Sequence, residues 1–445
     1  MIRGNLQNIC RALIGIATAA VMLSSCATTR PAIDTNDLSY LYNPTKNPVN
    51  PKYNITCESE SRASLGIKFF ANELFFSEAN AQGVAAASMA VTVKLYVTTT
   101  GTLLSDTSFY NLTIVKEEGR KEYVYHIPME VVPGQEYVAE VKILDRLRSL
   151  VMQAFIPFNT MTTTGRYNYM ARGHFEKNEL FNPVVRVGEY ANLVYLRGRA
   201  DSIYVAFYKP YTTKPDPPSM MLPEKALDYG PDTTIALAYS DTMPMMFPRP
   251  GIYLCSVDSN LTDGFVFFNF GSSFPELTTP EVMIEPLTYL ASETELAEMR
   301  SAPRPKVALD EFWIKCGGNV EKARELIRIY YTRVHYSNYY FTSYKEGWRT
   351  ERGMIYIIYG PPDKVYMNPE GESWGYRKPV IKSSWGTRYK VNDEYLYFNF
   401  KKKDSALSDN DYFLSRSETV VTYWEQAVSV WRKGIVFRLD NPEEF

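Results

Sequence analysis

Short runs of alternating apolar and polar residues fill the first two-thirds of the chain, and a helical period replaces them near residue 279. Ser88 to Thr98 places Val91, Val93, Leu95 and Val97 on one face, and Glu122 to Ile127, Glu136 to Ile143 and Val151 to Phe158 behave alike, with a Pro133-Gly134 turn between two of them. Short strands at this spacing predict a β-sandwich over 56–160. Val184 to Val187, Ile203 to Tyr208, Thr234 to Ala238, Gly251 to Val257 and Gly264 to Phe270 predict a second sandwich over 161–278. Between Pro210 and Pro250 lie nine of the 27 prolines and Met220, Met221, Met243, Met245 and Met246. Proline donates no ladder hydrogen bond, so this stretch is expected to be a long decorated loop whose thioethers suit adaptable packing against a partner.

From 279 to 445 the pattern predicts a mixed α/β domain. Leu287, Leu290, Leu296 and Met299 suggest a helix from Pro286 to Arg300, and Phe312-Trp313 begins a short second one. Asn319 is a good N-cap for a third, from Val320 to about Tyr340, with Ala323, Leu326, Ile327, Tyr330 and Val334 as its stripe. Met354 to Tyr359 reads as a strand ended by Gly360-Pro361-Pro362-Asp363, Glu394 to Lys401 as another strand, and Thr422 to Arg432 as a closing helix. The fold class expected is two β-sandwich (Ig-like) domains followed by this α/β domain.

The N-terminus reads as an address. Arg3 and Arg11 precede an apolar stretch from Ala12 to Leu23, shorter than the roughly 20 residues a membrane span needs. Leu23-Ser24-Ser25-Cys26 resembles a bacterial lipobox, which implies cleavage after residue 25 and acylation of Cys26. Ala27 at the next position, in place of Asp, implies an outer-membrane lipoprotein, and the absence of an acidic cluster after Cys26 favours the periplasmic side. Residues 26–55 are polar and rich in Pro, Asn and Thr and are expected to be a tether. Tandem sandwiches on that tether would hold the terminal domain away from the membrane.

Composition removes several functions. The 445 residues carry 48 Lys plus Arg against 50 Asp plus Glu, a net charge of -2, so no basic domain invites nucleic acid. Three histidines, His126, His174 and His335, and no His/Cys cluster at zinc spacing leave no metal site or cofactor expected. Cys57, Cys255 and Cys316 are too few and scattered for a disulfide framework. Gly371-Glu372-Ser373-Trp374-Gly375 matches a nucleophile-elbow pattern, yet no histidine follows it. Glu351 and Asp363, twelve residues apart, would stand at opposite ends of the intervening strand.

Gly347-Trp348-Arg349-Thr350-Glu351-Arg352-Gly353, a following apolar run and Gly360-Pro361-Pro362-Asp363 resemble the GWxTD domain of bacterial envelope proteins. Tyr289-Leu290-Ala291, Asp310-Glu311-Phe312-Trp313, a helix bearing Tyr331, Arg333, Val334, Asn338 and Phe341, and Glu372 to Tyr376 follow the family order over about 285–400. The signature Asp is Glu351 here, which points to a structural or contact role for that carboxylate. Gly347 and Gly353 are expected to supply backbone freedom, and Trp348 an apolar plug. Gly347, Trp348, Thr350, Glu351, Arg352, Gly353, Gly360, Pro362, Asp363 and Trp374 are the candidate interaction residues. With 34 Tyr, 23 Phe and 6 Trp, two uses compete. The first is a non-catalytic scaffold subunit of an outer-membrane complex with an envelope protein partner, contacting it through the signature loops and the Pro/Met-rich loop. The second is a glycan-binding lipoprotein presenting Trp374 or Trp385. A hydrolase built on Glu351, Asp363 or Ser373 is the third.

Overall fold

The computed structural model describes residues 37–46, 48–218, 229–368, 370–378, 394–403, 405–416 and 418–440, apart from the side chains of 418–422. Residues 1–25, expected to be a signal sequence, and Cys26, Met220, Met221 and Trp385 lie outside these residues.

Alternation builds the first domain. Strands β1 (Lys52–Cys57), β2 (Arg62–Phe70), β3 (Ala86–Val97), β4 (Leu103–Val115), β5 (Glu122–Glu130), β6 (Glu136–Asp145) and β7 (Leu150–Asn159) form two antiparallel sheets, ordered β1-β2-β5 and β4-β3-β6-β7. Leu65, Ile67 and Phe69 from one sheet meet Met89, Val91, Val93, Val141 and Ile143 from the other in one core. The second domain pairs β8 (Tyr169–Gly173), β9 (Tyr190–Tyr195), β10 (Ser202–Tyr208), β11 (Thr233–Ala238), β12 (Pro244–Met246), β13 (Gly251–Ser256) and β14 (Phe265–Asn269) as β12-β9-β8 facing β11-β10-β13-β14. The Pro/Met-rich stretch is thus partly in the sheets: β11 and β12 are both edge strands, where proline is tolerated, and Met245 is buried in the core. Val184 to Val187 makes only a single bridge, Val184 to Phe268, and is not a strand.

The last domain sets helices α1 (Pro280–Ile284), α2 (Glu293–Ser301), α3 (Pro305–Gly317), α4 (Val320–Phe341), α5 (Glu351–Tyr359) and α6 (Glu418–Arg432) against an antiparallel sheet, β15 (Lys364–Asn368), β16 (Gly371–Arg377), β17 (Tyr395–Lys402) and β18 (Tyr412–Ser415). Asn319 caps α4 by accepting from the Lys322 amide at 2.9 Å, as its position predicts. The single helix expected from Pro286 to Arg300 is broken. A 3-10 turn ends at Tyr289, and Ser292 restarts the chain with a reciprocal capping box to Glu295. Phe312 and Trp313 sit in the middle of α3, not at its start. Among the described residues, no helix is long and apolar enough to cross a membrane.

Glu295 does more than cap. It takes two hydrogen bonds from Arg432 at the end of α6, at 2.7 and 2.8 Å, and these draw its pKa from 4.5 down to about 2. A depressed carboxylate stabilises the fold fully above its unfolded value, and that stabilisation disappears as pH falls through the folded one. The stability gap between wild type and Glu295→Gln in urea unfolding is therefore expected to be constant above about pH 5 and to close toward about pH 2.

The expected tether is ordered from Asp37 onward, and it does not run free. Leu38 and Tyr42 are buried in the core of the last domain. The Leu38 amide donates to the Val365 carbonyl (2.8 Å), and the Val365 amide donates to Asp37 Oδ1 (3.0 Å), so this segment covers the edge of β15. The Tyr40 hydroxyl bonds both the amide and the carbonyl of Gln153 on β7 (2.7 and 3.0 Å). Residues 37–43 therefore strap the first sandwich to the last domain. The second sandwich docks there too: Ala206, Ile252, Leu254 and Phe268 pack with Tyr344 and Leu407. The expectation that the sandwiches alone separate the last domain from the start of the chain is corrected by these contacts.

Candidate functional site

The signature segment folds inward. After α4 ends at Phe341, residues 347–349 make a 3-10 turn and Thr350 starts α5. The Thr350 hydroxyl accepts from the Gly353 amide (2.9 Å) and donates to the Gly347 carbonyl (2.7 Å), closing the turn while capping the helix. Met354 to Tyr359 is therefore helix, not the strand its composition predicts. Every residue of α5 is buried, so no periodicity distinguishes the two states. The physical reason for the helix is the pair of ends: the Thr350 cap before it and Gly360 at φ +85° after it.

Gly347 and Gly353 serve close approach, not the backbone freedom expected of them. A Cβ on Gly347 would collide with the Ser337 carbonyl oxygen of α4 and lie 2.7 Å from the Asn338 Cα. A Cβ on Gly353 would collide with the Gly347 carbonyl oxygen and lie 3.1 Å from the Trp348 Cα. Trp348 is buried, as a plug should be: its amide donates to Asn338 Oδ1 (3.2 Å) and its carbonyl accepts from the Tyr289 hydroxyl (2.6 Å).

Two buried ion pairs anchor the signature's charged residues. Arg352 Nη1 donates to Glu372 Oε1 at 2.7 Å, with both side chains almost inaccessible. Its other terminal nitrogen bonds Asn410, and the guanidinium lies 3.7 Å over the Tyr412 ring. Glu372 also accepts from the Tyr42 hydroxyl (2.9 Å) and from Trp374 Nε1 (2.8 Å). Burial works against the Arg352 charge, but Glu372 and its neighbours outweigh it and hold the pKa above the ordinary value. Glu351 receives the Leu414 amide at 2.6 Å and pairs with Arg416 at 3.1 Å. Burial nonetheless raises the Glu351 pKa, with Arg416 and the Leu414 amide opposing.

The far end of α5 is closed by residues whose role the sequence did not announce. Arg333 from α4 donates to the carbonyls of Ile357 and Ile358 at 2.9 Å, and Trp431 Nε1 reaches Ile358 at 3.0 Å. Burial lowers the Arg333 pKa to about 10. Gly360 leaves no room for a side chain beside this guanidinium, and its carbonyl accepts from the Tyr376 hydroxyl (2.8 Å). Pro362 is buried, whereas Asp363 is exposed and takes the Arg377 amide at 2.8 Å.

These positions separate the candidate catalytic groups. Glu351 is inside the core at the start of α5, Asp363 is outside beyond its end, and Ser373 lies within β16 with its hydroxyl on Asn399 (2.7 Å). A strand interior is not a nucleophile elbow. Trp374 is wholly buried against Tyr42, Phe341 and Phe400, so it offers no glycan platform. Cys57, Cys255 and Cys316 are free and buried, and among the described residues no three His, Cys, Asp or Glu side chains cluster for a metal ion. Of the ten signature candidates, nine are core-building and only Asp363 is exposed. Tyr42, Arg333, Asn410 and Arg416 belong to the same assembly and carried no assigned role in the sequence reading. Thr350 before an acidic first turn was the local signal for the cap.

Residues 251–433 match the family model of the GWxTD domain. That match begins at β13, inside the second sandwich, and so takes in more than the helical region. No curated protein matches the chain. Among solved structures, Bacteroides uniformis β-glucuronidase aligns at 12% identity and a TM-score of 0.18, over 37% of this chain and 16% of that one. A calcium-binding mutant of Bacteroides uniformis β-glucuronidase 2 aligns at 14% and 0.19 with the same coverage of each chain. The chain thus spans only 16% of the length of those structures. On that family match, residues 251–433 of this chain are a GWxTD domain.

Proposed function

We propose that the protein is a lipid-anchored cell-envelope component acting as a non-catalytic interaction subunit of an outer-membrane complex, with acylated Cys26 as its anchor. The observation that carries the reading is edge strand β4. Among the described residues it pairs only with β3, runs for 13 residues and exposes Leu104, Phe109 and Val115, with Phe109 75% accessible. A long apolar edge without lysine or proline is a template for another strand unless a partner covers it. The signature supports the same reading from the other side, because its carboxylate and guanidinium are consumed in holding α5. The contact surface is accordingly β4, not the buried signature loops.

The test is purification of tagged protein, with Cys26 intact, from detergent-solubilised outer membranes, with companions identified by mass spectrometry. A stoichiometric envelope protein is expected with wild type and is expected to be lost with Phe109→Glu, while folding is unchanged. Purification of the wild-type protein alone would contradict the proposal.

A further inference from the structure

The outer face of the last sheet has an unusual composition for a protein with net charge -2. Cross-strand pairing puts Lys364, Gly375 and Tyr397 in one row, Tyr366, Ser373 and Asn399 in the next, Arg377 beside Tyr395, and Gly371 beside Lys401. The alternate positions, Val365, Trp374, Phe398, Phe400 and Leu414, are buried under the helices. On β15 to β18 this outer face therefore carries three cations and no carboxylate. Among the described residues, carboxylates stand at its rim: Asp363 on the Arg377 amide, Glu394 at 3.6 Å from the Arg377 guanidinium, and Glu370 at the β15–β16 turn. Tyrosine rings lie among the cations: Lys364 sits 4.7 Å over Tyr395, Arg377 donates to the Tyr395 hydroxyl (3.1 Å), and Tyr397 is 40% accessible. A shallow depression of about 300 Å³ opens beside this face, lined by Tyr366, Ser373, Asn399 and Lys401 together with the carboxylates Glu370 and Glu372.

The strap supplies a second, independent observation. The chain enters the described fold at Asp37, on the edge of β15, before it reaches either sandwich. Eleven Cα steps separate Asp37 from Cys26, a reach of about 40 Å at full extension and much less for a flexible coil. Tyrosine with lysine and arginine is the side-chain mixture that settles at the headgroup level, where cations meet lipid phosphates and the rings sit at the boundary.

We propose that the outer face of β15 to β18 lies against an anionic phospholipid surface, with Lys364, Arg377 and Lys401 meeting headgroup phosphates and Tyr366 and Tyr397 at the interface. The orientation rests on the reading of Cys26 as the anchor; the affinity of the face for lipid does not. The GWxTD domain is then nearest the membrane, and β4 is left open to a protein partner.

Two measurements test this on the full chain. Lipidated protein is bound to vesicles of phosphatidylethanolamine and phosphatidylglycerol containing a headgroup nitroxide, with a fluorophore at Tyr397→Cys or at Phe175→Cys in the second sandwich. Cys57, Cys255 and Cys316 are buried and do not compete for label. Quenching at 397 is expected to exceed that at 175 at least threefold. Equal or reversed quenching on vesicle-bound protein overturns the orientation, whereas wild-type protein from membranes whose intact mass shows no acyl group on Cys26 overturns the anchor instead. In the second measurement, Cys26→Ser protein is sedimented with the same vesicles at low salt. Partitioning is expected to fall about tenfold with Lys364→Glu/Lys401→Glu and to vanish on phosphatidylcholine alone. Unchanged partitioning in the double variant overturns the face itself.

Discussion

Arg352→Met is expected to lower the unfolding free energy by about 3–5 kcal/mol, because it leaves the Glu372 carboxylate buried without its cation. Tyr42 and Trp374 would still donate to that carboxylate, but neither is charged. Asn410 would also lose the donor that holds its carbonyl and side chain. The informative comparison is with Arg352→Met/Glu372→Gln. The substituted amide can turn its oxygen to Trp374 Nε1 and its NH2 to the Tyr42 hydroxyl oxygen and carries no charge, so the double variant should be more stable than the single one by at least about 1 kcal/mol. Urea unfolding of the two variants, with Glu372→Gln completing the cycle, measures the coupling. Equal stability of single and double variants would mean that Glu372 is not the partner that matters.

Gly347→Ala is the second large effect expected, about 3 kcal/mol of destabilisation from a single methyl group. Overpacked sites usually relax by shifting side chains, at a cost of about 1–3 kcal/mol. Here the obstacle is backbone, the Ser337 carbonyl of α4, so relief requires moving a helix that holds Leu326, Tyr330 and Val334 in the core. Gly353→Ala should behave similarly, although alanine favours a helix by about 1 kcal/mol over glycine. Gly230→Ala is the control: nothing lies within 4 Å of its added Cβ, and its effect should stay within about 0.5 kcal/mol. Thermal or urea unfolding of the three variants separates close approach from backbone freedom as the reason for the signature glycines.

How far the sequence could be read follows from where the information lay. The strands around Val91, Tyr123, Val141 and Met152 were legible because one face of each is buried and alternation records it. The α4 helix was legible because Asn319 marks its start and its stripe has a helical period. The α5 helix was not, because burial on all sides erases periodicity and Ile355, Ile357 and Ile358 favour a strand by composition. Its caps held the answer: Thr350, an acidic Glu351 in the first turn, and Gly360 nine residues on. The strap was hidden for another reason. Its surroundings are polar and proline-rich, and its partners are distant in sequence: Gln153 lies 113 residues from Tyr40, and Tyr356 and Glu372 lie 314 and 330 from Tyr42. No local pattern encodes a contact of that span.

The signature motif itself was recognisable by its residues, but their role was not. A carboxylate, an arginine and a tryptophan together resemble a site until their partners are seen. Glu351 turns out to hold β18 through the Leu414 amide, and Arg352 holds β16 through Glu372. The motif joins α4, α5 and the sheet into one core, and the strap holds the first sandwich through Tyr40 while Tyr42 reaches this same point.

The most direct test of that account is companion capture by Arg352→Met/Glu372→Gln, once the protein is shown to be folded. If the signature builds the core and β4 meets the partner, this variant should retain the wild-type companions while Phe109→Glu loses them. A folded double variant that loses its companions while Phe109→Glu keeps them would contradict the account, and would place the contact at the signature itself.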